Sequence, residues 1–276
     1  MPDYRLFKPD IFIGIDQTGA VLPNGKVKPL RCSIIKKSKS KLVAHTNLTL
    51  QNLDLTSIYK LIDVKDLKRT LIIADSVLGI PFKDTTNKSL RSLFNKSLKY
   101  KYNDQKYGAN TAYQFFNTIV RKSNTYNIPT RLAERMTNAN SIFKLKPFQR
   151  NIGCGTFRIW KDLAIDQSWY SLWPLEDYTK STSTIAEGYP SFVWKNFIQG
   201  KRGDKDSLIE CSKKYQCRII FPDLSKDFNT KDDMDSFALA LFAAVNTNLV
   251  YKTNFPNEVI NKEGWIFGLN YCADQL

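Results

Sequence analysis

The sequence predicts a mixed α/β fold: a sheet that opens as an antiparallel three-stranded meander, continues with parallel strands, and is flanked by helices. Three observations predict it. An apolar run that ends on an acid, IFIGID at 11–16, is followed by two more strand-like runs. Short, continuously apolar segments recur at 71–75 (LIIAD) and within TIAEGYP at 184–190, as in strands covered on both faces of a parallel sheet. An Ala-, Leu- and Phe-rich helix closes the pattern at 232–245, with residues small enough to pack closely on a sheet.

Taken in order, IFIGID is a buried strand and Pro23-Asn24-Gly25 is a strong turn signal. LRCSIIKK and KLVAHTNLTL supply the second and third strands. Apolar spacing predicts a helix over 53–61, and LIIAD is the fourth strand, ended by Gly79-Ile80-Pro81. Helical patterns follow at 109–122 and 130–143. TIAEGYP is the fifth strand, helices are predicted over 191–199 and 204–214, and 222–230 is an irregular approach to the last helix. There is no internal repeat. A hairpin-first order with later strands joined through helices gives a mixed sheet in a single domain, 1–276.

Composition narrows the function. The 276 residues carry 41 Lys and Arg against 26 Asp and Glu, a formal net charge of +15, which calls for a polyanionic partner. With 42% hydrophobic and 13% aromatic residues the chain can build a core. Its longest apolar stretch, 237–245, is far short of the ~20 residues that span a bilayer. The start, MPDYRLFKPD, has no apolar targeting segment, so a cytoplasmic protein without a membrane partner is expected. Five scattered cysteines and a single histidine, His45, leave little for a zinc site or for Ser-His or Cys-His catalysis. Catalysis would rest on carboxylates, and carboxylates that bind a hard metal are the natural candidates.

The positive charge is concentrated. Residues 83–161 hold 16 Lys and Arg and three acids, Asp84, Asp104 and Glu134, so the rest of the chain is close to neutral. This segment is expected to be a folded, mainly helical insertion. Its bases alternate with aromatics, a combination that suits phosphate neutralisation with base stacking. Lys96, Lys99, Lys101, Arg121, Lys122, Arg131 and Arg135 are the expected nucleic-acid contacts.

Acids occur on four elements. Asp16 ends the first strand, Asp75 the fourth, and Glu187 lies in or at the end of the fifth; Asp232, Asp233 and Asp235 open the last helix. A lone charge in an apolar run is costly, and convergence on divalent ions would compensate it. Asp232 and Asp235, three apart, share a helical face. Oxygen donors suit Mg²⁺ or Mn²⁺, and a two-metal carboxylate site hydrolyses phosphodiesters without a histidine base. Asp16, Asp75, Glu187, Asp232 and Asp235 are therefore the expected metal-binding and catalytic residues, with Asp233 as their neighbour on the helix. Each acid alone also has a structural reading: turns at Asp16 and Asp75, and a helix start capped by Thr230.

With these residues assembled, the sequence resembles the RNase H-like superfamily, whose core begins with a three-stranded meander bearing an Asp on its first strand. KDDMDSFALALFAAV looks like the last helix of RuvC-type resolvases, and Asp232 and Asp235 match its spacing. More closely, the chain resembles the domain-of-unknown-function family 429, a group of predicted RNase H-like nucleases. The matching pieces are IGID, ADSVLGIP, AEGYPSF, DDMDSFALALFAA and EGWIFGL, together with YGANTAYQFF and WPLE. Val77 departs from a Pro in many members, and Gly188 from a larger apolar residue. The resemblance implies a metal-dependent nuclease. The alternatives are an inactive RNase H-like nucleic-acid-binding module and, from GIDQTGA, an actin-like phosphotransferase, which the scarcity of later Gly pairs disfavours.

Overall fold

The computed structural model describes residues 7–17, 27–39, 41–83, 85–101, 109–120, 128–144, 152–178, 182–222, 227–251 and 254–270. Its strands are β1 Ile11–Asp16, β2 Leu30–Ser38, β3 Lys41–Leu50, β4 Thr70–Ala74, β5 Tyr170–Trp173, β6 Ser183–Glu187 and β7 Cys217–Ile220. They form one sheet in the order β5-β6-β4-β1-β2-β3-β7. The β1–β2–β3 meander is antiparallel, and every other neighbouring pair is parallel. The expected mixed sheet is therefore present, widened by two four-residue strands, β5 and β7, that the sequence pattern did not reveal. The turn signal at 23–25 lies outside the described residues.

The helices depart further from expectation. In place of a helix over 53–61 there is a single turn, α1 Leu55–Ile58, capped by the Asp54 carboxylate on the Ser57 N–H. Within the basic segment lie α2 Leu90–Ser97, α3 Ala109–Asn117, α4 Leu132–Thr137 and α5 Ile152–Ile165. The pattern at 130–143 overestimates α4, which stops where Asn138 turns left-handed at φ 53°. α6 Pro190–Val193 runs into a π-helical turn, Trp194–Ile198, and is followed by α7 Lys205–Lys214 and α8 Lys231–Val245.

Strand alternation divides these helices between two faces. Ile11, Ile13 and Ile15 of β1 share a core with α2, α3 and α5; Phe12 points the other way, into a core with α7 and α8. Helices α2, α3 and α5 of the basic segment thus layer one face of the sheet, whereas Leu132 and Ala133 of α4 join the core shared with α8, and position 161 falls inside α5. Its rings Phe94, Phe115, Phe116, Phe157 and Trp160 are buried against one another, mostly tilted or edge to face. They pack that layer and do not form an exposed base-stacking platform.

On the opposite face α8 buries Phe237, Leu239 and Leu241 completely, roughly 1.5–3 kcal/mol for each. Gly14 permits its close approach, because a Cβ there would overlap the Ser236 carbonyl. Ser236 Oγ lies 2.9 Å from Ser33 Oγ, which lies 3.0 Å from Thr46 Oγ1, fixing α8 over β2 and β3. A late segment straps the other layer. The Glu263 carboxylate accepts the N–H groups of Phe82 (2.9 Å) and Leu132 (2.8 Å). Among the described residues, no helix is long and apolar enough to cross a membrane.

Candidate functional site

Three parallel strands carry acids at their carboxyl ends, where open α/β sheets commonly place ligands. Ile15 of β1 is paired with Ala74 of β4, and the Asp75 N–H donates to the Ile15 carbonyl at 2.8 Å. Asp16 and Asp75 therefore emerge side by side, on the α8 face by the strand alternation. Gly14 brings α8 down onto the same strand, so Asp232 and Asp235 of its first turns arrive beside them. Asp16, Asp75 and Asp232 line a half-open cavity of about 780 Å³, whose other walls include Gln17, Arg131, Lys144, Glu187, Ser191 and Arg202.

Asp16 and Asp75 are buried, and their carboxyl groups are within hydrogen-bonding reach of one another. Burial and then the charges of Asp75, Asp235 and Asp232 push the Asp16 carboxyl well above the ordinary carboxylate range. Asp75 is pushed up to about 7, chiefly by burial, with Arg202 and the Asp16 hydrogen bond pulling the other way. Asp16 Oδ1 and Gln17 Oε1 are buried with no hydrogen-bond partner among the described residues. Gln17 reaches this position because Gly155 of α5 leaves room for its side chain.

Glu187 lines the same cavity, and its charge reaches Asp75, but it is held differently. Glu187 is in register with Ala74, one residue behind Asp75, so it leaves the sheet on the insertion face. There Arg131 holds it bidentately, Nη2 to Oε1 at 2.6 Å and Nη1 to Oε2 at 2.7 Å, and the Leu78 N–H donates to Oε2 at 2.9 Å. Arg131 also donates to Glu134 Oε1 and to the Glu263 carbonyl. Burial opposes its charge, but Glu187 and Glu134 outweigh that and raise its pKa. Only 1% exposed, Arg131 is a buried partner of Glu187 and not the surface phosphate contact expected from the sequence. The reason is local: α4 starts against the sheet, and an unpaired Glu187 there would be strongly destabilising.

Asp235 is likewise taken. Trp194 Nε1 donates to Oδ1 at 2.6 Å, while Arg202 donates to Oδ2 through Nε at 2.8 Å and Nη2 at 2.6 Å. Asp233 faces away from Asp16: it accepts from Thr230 Oγ1 at 2.7 Å, its own N–H returns to that oxygen, and Arg31 lies 3.7 Å away. It is a helix cap. Of the expected phosphate contacts, Lys99, Lys101 and Arg135 are exposed and Lys96 is half-buried against Thr118; Arg121 and Lys122 lie outside the described residues.

Among the described residues no group of three or more His, Cys, Asp or Glu side chains is arranged to hold a metal ion. The acids nevertheless differ in how they fit one. Two adjacent buried carboxyls that retain a proton so strongly would attract a hard divalent cation for the same electrostatic reason, and Asp16 Oδ1 is an oxygen without a partner. Asp16 and Asp75 fit Mg²⁺ or Mn²⁺, with half-buried Asp232 as a further oxygen donor on the cavity wall. Glu187 and Asp235 do not fit in this arrangement, because arginines already compensate them. Sequence reasoning missed Arg202, Trp194, Gln17 and Ser191. The one available signal was Arg202 in the charged loop Gly200-Lys201-Arg202-Gly203, between two predicted helices.

Comparison with known proteins adds no identification: no family model, no curated protein and no solved structure matches the chain.

Proposed function

We propose that the chain is a metal-dependent nuclease with an RNase H-like core, hydrolysing phosphodiester bonds of nucleic acid. The observation that carries the reading is the buried Asp16–Asp75 pair, with its partnerless oxygen, opening onto a cavity. The central strand order β3-β2-β1-β4-β6, with β2 antiparallel, supports the resemblance. Asp16 and Asp75, with Asp232, would hold Mg²⁺ or Mn²⁺. That ion, when bound, would supply an activated water and neutralise developing charge on the phosphate. The chain's own residues do the rest. Burial of Asp16 and Asp75 keeps bulk water from screening them. Arg131 fixes Glu187, which in turn fixes the Leu78 N–H in the loop after Asp75. Exposed Lys99, Lys101 and Arg135 attract the phosphate backbone. Buried free thiols at Cys32, Cys211 and Cys217 suit a reducing, cytoplasmic setting.

A second reading, an inactive RNase H-like nucleic-acid-binding module, is favoured by the arginines that compensate Glu187 and Asp235. One experiment separates the two. Labelled DNA and RNA, single- and double-stranded, are incubated with Mg²⁺, Mn²⁺ or chelator and with wild type or Asp16→Asn. The nuclease reading expects products that need both the metal and Asp16. Binding without metal-dependent product leaves the binding module, and equal cleavage by the variant removes the nuclease assignment.

A further inference from the structure

Two arginines line the cavity, and they are used differently. Arg131 directs four hydrogen bonds to protein acceptors and is sealed in. A guanidinium has five N–H donors. Arg202 directs two of them to Asp235 and one, at a long 3.3 Å, to Ser191 Oγ. Two N–H groups have no acceptor among the described residues, on a side chain that is 36% exposed.

The surroundings hold this group in place. Asp235 is 1% exposed and clamped from its other oxygen by Trp194, at the start of the π-helical turn. The loop that carries Arg202 is short and internally tied: Asp204 caps α7 and accepts from Ser207 Oγ at 2.6 Å, and Gly203 adopts φ +88° against the stem of Lys231. A fork of two unused donors is thereby fixed at the wall of a cavity whose floor is the Asp16–Asp75 pair. It is the arrangement that binds an anion whose other side meets a cation, because Arg recognises phosphate oxygens through paired N–H donors.

We infer that Arg202 is an anion-binding residue of this site, receiving non-bridging phosphate oxygens of a nucleic-acid strand, and that Asp235 and Trp194 position it. The inference rests on the nuclease reading for the identity of the anion. It also gives Asp235 a different task from the one the sequence suggested: it orients Arg202 and does not bind metal.

The test is binding of a short fluorescein-labelled single-stranded oligonucleotide, measured by anisotropy in EDTA over a range of salt. Arg202→Gln should weaken binding about tenfold, the loss of one charge-assisted contact, and lower the salt slope by about 0.7. Arg202→Lys should keep the slope and lose part of the affinity. Arg202→Gln strands the Asp235 charge and could unfold, so Arg202→Gln/Asp235→Asn is measured beside it, with urea midpoints for each. Wild-type affinity and slope in a folded Arg202→Gln variant, single or double, overturn the assignment, as does failure of the wild type to bind. Cleavage by wild type with Mn²⁺ is scored separately. Reduced binding in the variants without any cleavage leaves Arg202 as an anion site and removes the nuclease reading; cleavage with no effect at Arg202 does the reverse.

Discussion

The carboxyl edge of the sheet presents the same ingredients on both faces, an acid near a strand end and an arginine from elsewhere in the chain. On the insertion face, Glu187 and Arg131 are paired bidentately and almost fully buried, and Glu134 and the Glu263 carbonyl take two further Arg131 bonds. On the α8 face, Arg202 is half-used and half-exposed, and two carboxyls share a site with one oxygen left without a partner. A satisfied ion pair has little left to offer a ligand and serves to hold elements together. An over-supplied acid cluster lacks charge compensation, and a ligand can supply it.

The sharpest way to break this contrast is to neutralise one member on each side. Asp16→Asn should lower metal-dependent cleavage by about a thousandfold or more, the scale of losing a metal ligand in a preorganised site, while oligonucleotide affinity in chelator changes less than about twofold. Gel-resolved product formation and anisotropy read the two effects. Arg131→Met should instead cost about 3–5 kcal/mol of stability in urea, because it leaves Glu187 buried and unpaired. Arg131→Met/Glu187→Met should recover most of that loss; a double variant as unstable as the single would mean that Glu134 and Glu263 are the partners that matter.

The α8-face acids should also show themselves through pH. Asp75 has a folded pKa of about 7 against roughly 3.9 for an unfolded Asp. The folded state therefore holds a proton that the unfolded state releases. The resulting stability is fully present below about pH 4 and is lost as pH rises through about 7, on the order of 4 kcal/mol in all. Thermal unfolding of metal-free protein should show Tm falling between pH 5 and 8. Asp75→Asn should flatten that fall, and Mn²⁺ should raise Tm most at the alkaline end. A pH-independent Tm would remove the case for an uncompensated pair. The smallest effect belongs to the surface: Lys99→Glu/Lys101→Glu should weaken nucleic-acid binding a few-fold and flatten its salt dependence without shifting the urea midpoint.

What the sequence made legible follows from where the information is local. The meander, β4, β6 and α8 announce themselves by apolar runs, and the acids stand out because charge is unusual at the end of such runs. β5 and β7 are four residues long and lie at the edges of the sheet, too short for a periodic signal. α5 was hidden by Gly153 and Gly155, which look like breakers until Gln17 is seen to need the space. The division of the acids was not legible at all. It depends on Glu187 being paired with Ala74 and not with Asp75, a one-residue register choice that reverses the face of a side chain. The partnership of Arg131 with Glu187 spans 56 positions in the chain and exists only after that choice is made.

The strap at Glu263 has a consequence for synthesis. One carboxylate anchors the entry to the basic layer at Phe82 and the start of α4 at Leu132, and the next residues add the Phe267 N–H to the Glu187 carbonyl. These anchors leave the ribosome long after the segments they hold, and α8 emerges only shortly before them. A nascent chain can therefore pair its meander early, but the anchors at Phe82, Leu132 and Glu187 form only after translation has passed residue 267.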